Sequence, residues 1–278
     1  MGREENALIF KDTEYKVKSV EILKDAVKSS TLSQKLYLEK DNLPDVNRGR
    51  YDKEANIIVS KKRTLEAASA YKGERVCVHN FASAVNPGGG VINGASAQEE
   101  CLCRCSTLYF SLNTLEMWDN FYIPHRKEEN PIHNDDCIYT QNVVVFKTDT
   151  AFPETMEEKD WYSVNVVTCA APNLRGNTAN SMNSGYEHSM VNVIDRELYE
   201  LHVRRLRRIL DVAVLGNNSV VILGAFGCGA FQNNPEIVAR AAKDVIEDYK
   251  YAFKTIEFAV YCSPRNESNY RIFERTFR

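Results

Sequence analysis

At 278 residues the chain is long enough for a large domain with a substantial core, and 44% hydrophobic against 26% charged residues is ordinary for a globular protein. A formal charge of −3 gives no electrostatic case for general duplex nucleic-acid or membrane binding. The opening Met1 to Asn6 has no apolar signal core or myristoylation pattern, and no apolar run could span a bilayer, so the chain reads as cytoplasmic with its eight cysteines reduced.

In chain order, Glu4 to Lys40 is polar and helix-friendly, with Ala7, Leu8, Val20, Ile22, Leu23 and Val27 as intermittent apolar contacts. Asn47 to Asn56 is a charged, turn-prone connector. Residues 1–60 therefore read as a mainly helical extension packed on a core built by 61–278. Arg63 to Lys72 has a helical pattern. Val76 to Phe81 is a strand that feeds Asn86-Pro87-Gly88-Gly89-Gly90. Gln98 to Asn120 returns to helical spacing through Leu102, Leu108, Leu112, Leu115 and Trp118. After a loop from Pro124 to Asp136, β-branched runs at 143–146 and 164–168 read as strands.

A loop rich in Asn, Gly and Ser runs from Ala170 to Tyr186, and a long helix follows from Ser189 to Leu215. Val220 to Leu223 is a buried-type strand that empties into a second glycine loop, Gly224 to Gln232. A helix from Asn234 or Pro235 to Tyr249, a strand from Ile256 to Tyr261 and a helical turn or two from Tyr270 to Phe277 complete the chain. Repeated strand–loop–helix units of this kind predict an α/β fold in three layers, α/β/α.

Such folds bind ligands at the carboxyl ends of their strands. Both glycine loops lie there, each before a helix, where free N–H groups and the helix dipole favour phosphate oxygens. Three successive glycines also let the backbone touch a ligand directly. Glu99 and Glu100 follow closely, so a diphosphate on that backbone would lie within reach of an acid. Adjacent carboxylates on a helix diverge, which argues against the opposed pair of ordinary glycosidases. One could hold hydroxyls while the other transfers a proton. Both also suit a plainer role as first-turn acids, worth a few tenths of a kcal/mol.

Other signatures fail. Neither glycine run completes G-x-G-x-x-G, because Asn93 and Gln232 stand last, and no P-loop lysine follows. Gly94 to Gln98 ends in Gln where a nucleophile elbow needs Gly. The five histidines show no metal spacing and no Cys-x-x-Cys exists. Cys101, Cys103 and Cys105 read as small buried side chains, with Cys103 turned away from the other two. Phe231 suits either a sugar or base contact or the core. Arg204, Arg205, Arg207 and Arg208 read as a solvated helix face paired with acids such as Glu200.

Taken together, Asn80 to Gly90, the Gln98-Glu99-Glu100 run and Gly224 to Phe231 resemble the microbial-type poly(ADP-ribose) glycohydrolases, catalytic members of the macrodomain superfamily. The signature is Gly-Gly-Gly, a short spacer, then Gln-Glu-Glu, and the likeness covers about residues 60 to 265. It implies a macrodomain-like three-layer α/β/α mixed sheet with an N-terminal mainly helical extension, and a catalytic domain at 61–278. The implied activity is hydrolysis of the ribose–ribose O-glycosidic bond of poly(ADP-ribose), releasing ADP-ribose, with no metal or organic cofactor.

Carried over by position, Glu100 is the catalytic acid and then base, and Glu99 binds hydroxyls of the ribose beside the cut. Gln98 orders loop and substrate. Gly88, Gly89 and Gly90, with Val91, approach the diphosphate from one side, and Gly227, Cys228, Gly229 and Ala230 from the other. Phe231 positions the terminal ribose, and Asn86 is a further ribose contact. Cys101 and Cys105 flank the acid, a departure that raises sensitivity to thiol oxidation. Two rivals stand beside this reading: a reader that binds ADP-ribose without turnover, and a hydrolase of mono-ADP-ribosylated targets.

Overall fold

A computed structural model describes residues 2–176, 191–263 and 266–278. The chain runs α1 (Arg3–Ser19), α2 (Glu21–Ser33), β1 (Lys35–Tyr37), β2 (Asn56–Ser60), α3 (Thr64–Ala68), β3 (Val76–Ala82), α4 (Gln98–Cys105), α5 (Leu108–Leu112), α6 (Leu115–Met117), α7 (Ile123–Glu128), β4 (Cys137–Val145), β5 (Tyr162–Ala170), α8 (Asp195–Leu215), β6 (Val220–Leu223), α9 (Pro235–Ile246), β7 (Thr255–Ala259) and α10 (Ser268–Phe277). The expected helix start at Ser189 and the Asn/Gly/Ser-rich stretch beyond Gly176 lie outside the described residues.

The seven strands form one mixed sheet in the order β1-β4-β5-β3-β6-β7-β2. From β5 to β2 the neighbours are parallel, whereas β4 runs antiparallel to β5 and β1 antiparallel to β4. The inner parallel strands β3, β5, β6 and β7 are largely buried on both faces, which is why they read as nearly unbroken apolar runs, whereas β2 at the edge is half-exposed. Side chains alternate across the sheet. Cys77, Val221 and Leu223 face a core with α8 and α9, while Val76, Val78, Val220 and Ile222 face a second core with α3, α4 and α5. The result is the three-layer α/β/α, macrodomain-like arrangement.

Three local readings change. The helical pattern at 98–120 is interrupted after Cys105, where Ser106 bridges to Val145 and its hydroxyl binds the Leu102 carbonyl. Pro124 lies inside the first turn of α7, where its missing N–H costs nothing, so part of the expected loop is helical. The N-terminal segment supplies both outer strands of the sheet besides its two helices. At three and five residues, β1 and β2 are too short to show a period.

The basic run on α8 is a further correction. Arg205 is fully buried, paired with Asp135 at 2.8 Å and donating to the carbonyl of Ala170 at 2.7 Å. Arg204 also binds Asp135, and Glu200 pairs instead with Arg196. A buried guanidinium requires such a complete set of partners. Sequence spacing shows neighbours along the helix but not Asp135, which arrives from the segment before β4.

Candidate active site

Strands β3 and β6 are parallel neighbours, with Val76 opposite Val220 and Val78 opposite Ile222. Their carboxyl ends therefore release the two glycine loops side by side. Between the loops lies a cleft of about 880 Å³, lined on one wall by Gly89, Gly90, Gln98, Glu99 and Glu100, and on the other by Gly227, Gly229, Ala230 and Phe231. Arg3, Arg63, Arg104 and Arg175 also border it, a surplus of positive charge suited to phosphate groups.

The first loop is tied to the start of α4 residue by residue. Gln98 substitutes for a neighbouring strand: its Oε1 accepts from Phe81 N at 2.9 Å, and its Nε2 donates to the His79 carbonyl at 2.7 Å and to Thr64 Oγ1 at 3.1 Å. Glu99 is buried and accepts from Ser83 N at 2.7 Å, Asn80 Nδ2 at 3.3 Å and the Gly88 N–H. Burial, and next the charge of Glu100, hold its carboxyl well above the usual carboxylate range. Glu100 uses Oε1 to accept from Gly90 N at 2.9 Å. Its Oε2 is buried in the wall of the cleft with no hydrogen-bond partner.

The N–H groups of the first loop are engaged by the loop itself and by α4: Gly89 donates to the Asn86 carbonyl, Val91 to that of Gly88, and Gly88 and Gly90 to the two glutamates. The second loop differs. Among the described residues the N–H groups of Gly227, Gly229, Ala230 and Phe231 have no partner, whereas Cys228 donates to Ala225. Unpartnered amides on this side and an unpartnered carboxyl oxygen on the other give the cleft its polarity.

Most expected site residues converge here. Asn86, Gly88, Val91 and Cys228 do not line the cleft. Asn86 Oδ1 accepts from Arg126, Val91 is fully buried, and the Cys228 thiol faces the Phe226 carbonyl at 3.7 Å. Cys103 and Cys105 are buried, while Cys101 borders the cleft between Arg104 at 3.2 Å and Arg63 at 3.5 Å. Burial pushes its thiol up, and the two guanidinium groups oppose that rise.

Sequence reasoning missed Asn233. Its buried amide donates to the carbonyls of Pro172 (2.7 Å), Gly227 (3.2 Å) and Phe231 (3.3 Å), while its Oδ1 faces His202 Nε2 at 2.8 Å. It latches the second loop to the segment after β5. An Asn directly before a helix N-cap resembles any capping residue, so only the fold separates it from Asn234, which does cap α9.

The family model for the catalytic domain of microbial-type PARG matches residues 4–148. No curated protein matches the sequence. Among solved structures, poly(ADP-ribose) glycohydrolase from Thermomonospora curvata is 27% identical, with a TM-score of 0.81 over 99% of this chain and 100% of that one. The same enzyme bound to the inhibitor ADP-HPD gives 0.79 at 27% identity, covering 98% and 99%. Poly(ADP-ribose) glycohydrolase from Deinococcus radiodurans in complex with ADP-ribose is 30% identical, with a TM-score of 0.75 over 91% of this chain and 97% of that one. No described helix is long and apolar enough to cross a membrane. With the family model spanning more than half of the sequence and the glycine-cradled cleft in place, this chain belongs to the microbial-type poly(ADP-ribose) glycohydrolase family and hydrolyses the glycosidic bonds of poly(ADP-ribose).

Proposed function

We propose that Glu100 is the single proton-transferring group of this hydrolase, and that the second glycine loop holds the diphosphate of the unit being released. The observation that carries the assignment is the buried, unpartnered Glu100 Oε2 in the wall of the cleft, across from the unpartnered amides of Gly227 and Gly229 to Phe231. A carboxyl whose other oxygen is fixed by Gly90 N–H has one free position and one orientation. That is the preorganisation a general acid needs.

In this mechanism the protonated Glu100 carboxyl delivers its proton to the ribose oxygen that leaves. The C–O bond breaks, and the anomeric carbon acquires oxocarbenium character that the substrate's diphosphate stabilises. Water then adds to that carbon, and the Glu100 carboxylate removes the water's proton, restoring the enzyme. Glu99, held by three N–H donors, fixes the loop, and its place at the cleft suits hydroxyls of the adjoining ribose. Phe231 provides an apolar face for the terminal ribose, and Gln98 locks α4 to β3. Asn86, Gly88, Val91 and Cys228 act from behind the cleft wall. The product is ADP-ribose, the polymer or an ADP-ribosylated macromolecule is the substrate, and eight free cysteines suit a cytosolic setting.

The test is Glu100→Gln assayed on labelled poly(ADP-ribose), with ADP-ribose affinity measured by calorimetry. Loss of ADP-ribose release with affinity within about threefold of wild type supports the assignment (under 1 kcal/mol); near-normal turnover overturns it. A parallel incubation with mono-ADP-ribosylated protein sets the substrate range.

A further inference from the structure

We infer that helix α1 is part of the catalytic apparatus, and that Asn6 and Thr13 are positioning residues that set where Glu100 stands in the cleft. The inference rests on the assignment of Glu100 as the acid and gives the N-terminal helix a task within that same site.

Two buried polar side chains on α1 reach the two ends of the loop–helix unit that carries Glu100. Asn6 is 3% exposed and borders the cleft, and its Nδ2 donates to the Gly94 carbonyl at 3.1 Å. Gly94 closes the turn between the triple-glycine loop and α4 with φ of +75°, and any β-carbon there would collide with the carbonyl of Arg3. The first turn of α1 is therefore pressed against the backbone of the loop. Two turns on, Thr13 is fully buried and its hydroxyl donates to the Arg104 carbonyl at 2.6 Å.

Arg104 lies four residues after Glu100, about one helical turn. Its carbonyl is among the last four of α4, which have no acceptor role inside the helix. Thr13 thus caps α4 from another helix. The guanidinium of Arg104 turns back to bind the Ala95 carbonyl and the Cys101 thiol, so the far end of α4 is linked to the spacer loop as well. Between these contacts Phe10 packs edge-on against Tyr109 at 5.0 Å, in the same core as Val91 and Leu102. Lys147, nearly fully buried, holds the same stretch of α1 through the Ile9 carbonyl at 2.9 Å and Asp12 at 2.8 Å.

The near end of α4 is fixed to β3 by Gln98 and Glu99, as described above. Those bonds set its approach to the sheet, and Thr13 and Asn6 close the opposite side. Neither touches the reacting atoms. Both govern where the free Glu100 oxygen lies relative to a bound sugar, and displacement of a reacting group by about 1 Å costs up to 100-fold in rate.

The experiment compares Thr13→Val, Thr13→Ser, Asn6→Asp and Glu100→Gln with wild type in the full chain, well below each variant's Tm. Thr13→Val removes the hydroxyl at nearly constant volume, and Asn6→Asp removes the donor while keeping the shape. The expected result is a fall in kcat on poly(ADP-ribose) of about tenfold for both. ADP-ribose binding should keep full stoichiometry and an affinity within about twofold. Thr13→Ser, which keeps the hydroxyl, should retain at least half of the wild-type kcat, roughly 0.4 kcal/mol or less in barrier.

Unchanged kcat in Thr13→Val and Asn6→Asp overturns the inference. So does a loss of activity matched by lost binding stoichiometry, which means only that part of the protein is unfolded. Turnover surviving in Glu100→Gln defeats the assignment of the acid, whatever the α1 variants do. Abolished turnover there with normal α1 variants defeats the α1 inference alone.

Discussion

Gly89 stands so close to Glu100 that a β-carbon built on its backbone would come within 2.5 Å of the carboxyl oxygen Oε1. Its φ of +57° independently disfavours any side chain. The glycine is therefore needed to seat the Glu100 carboxyl where the proposed mechanism uses it. Gly89→Ala should lower kcat on the order of 100-fold by displacing the carboxyl. Its cost in stability should stay near 1–2 kcal/mol. Steady-state kinetics beside a urea melt separate the two, and a fall in stability with kcat intact would show that the carboxyl accommodates the methyl group.

Gly94→Ala acts on the other side of the same loop. With a methyl group driven into the Arg3 carbonyl and φ at +75°, α1 must move off the loop or the turn must rebuild. The expected loss is roughly 2–4 kcal/mol. Greater protease access to α1 than in wild type would identify the helix as the part that yields.

Asn233→Ala removes the amide that binds three carbonyls around the second loop. ADP-ribose affinity should fall about tenfold, equivalent to 1.4 kcal/mol. On the proposed mechanism kcat at saturating polymer should change less than affinity. Calorimetry and saturation kinetics report the two quantities, and equal losses in both would place Asn233 with the acid rather than with the diphosphate.

Burial pushes His79 down to about 3 and His202 down to about 4. In the unfolded chain both take up protons below about 6.5. The unfolded state therefore binds more protons in this window, so stability is complete above pH 6.5 and declines as pH falls towards the folded values. Each histidine should account for roughly 2 kcal/mol lost between pH 6.5 and 5. His202→Gln, whose amide can still donate to Asn233 Oδ1, should flatten the acid limb of a Tm–pH curve. An unaltered slope would mean that His202 is already protonated in the folded protein.

Burial pushes the Cys101 thiol up, away from the thiolate that oxidants attack. Exposure to peroxide should therefore leave most activity intact over the time in which a free surface thiol is consumed. Peroxide inactivation that Cys101→Ser relieves would restore the oxidation-sensitive reading of this position.

The sequence carried the central strands well, since β3, β5 and β6 are apolar runs bounded by turn residues. It carried the Gly-Gly-Gly and Gln-Glu-Glu elements because their residue types are tied to backbone geometry and acid chemistry. What escaped was contact at long separation. The burial of Arg205 depends on Asp135, the second loop depends on Asn233, and Thr13 meets Arg104 across two helices. None of these pairs leaves a periodic trace. The amides of Gly88, Gly89 and Gly90 also read as phosphate donors until the fold shows them bound by Glu99, the Asn86 carbonyl and Glu100 in turn.

The outer strand β2 has consequences for biosynthesis. Its register pairs Asn56 with Thr255 and Ser60 with Ala259, so this segment completes the sheet only against a strand synthesised much later than itself. Until then Asn56 to Ser60, with Ile57, Ile58 and Val59 at its centre, is an unpaired apolar ribbon open to association with other nascent chains. Overproduction should therefore be governed by how long that ribbon waits, and chaperone present during synthesis should raise the soluble yield more than any change near the cleft.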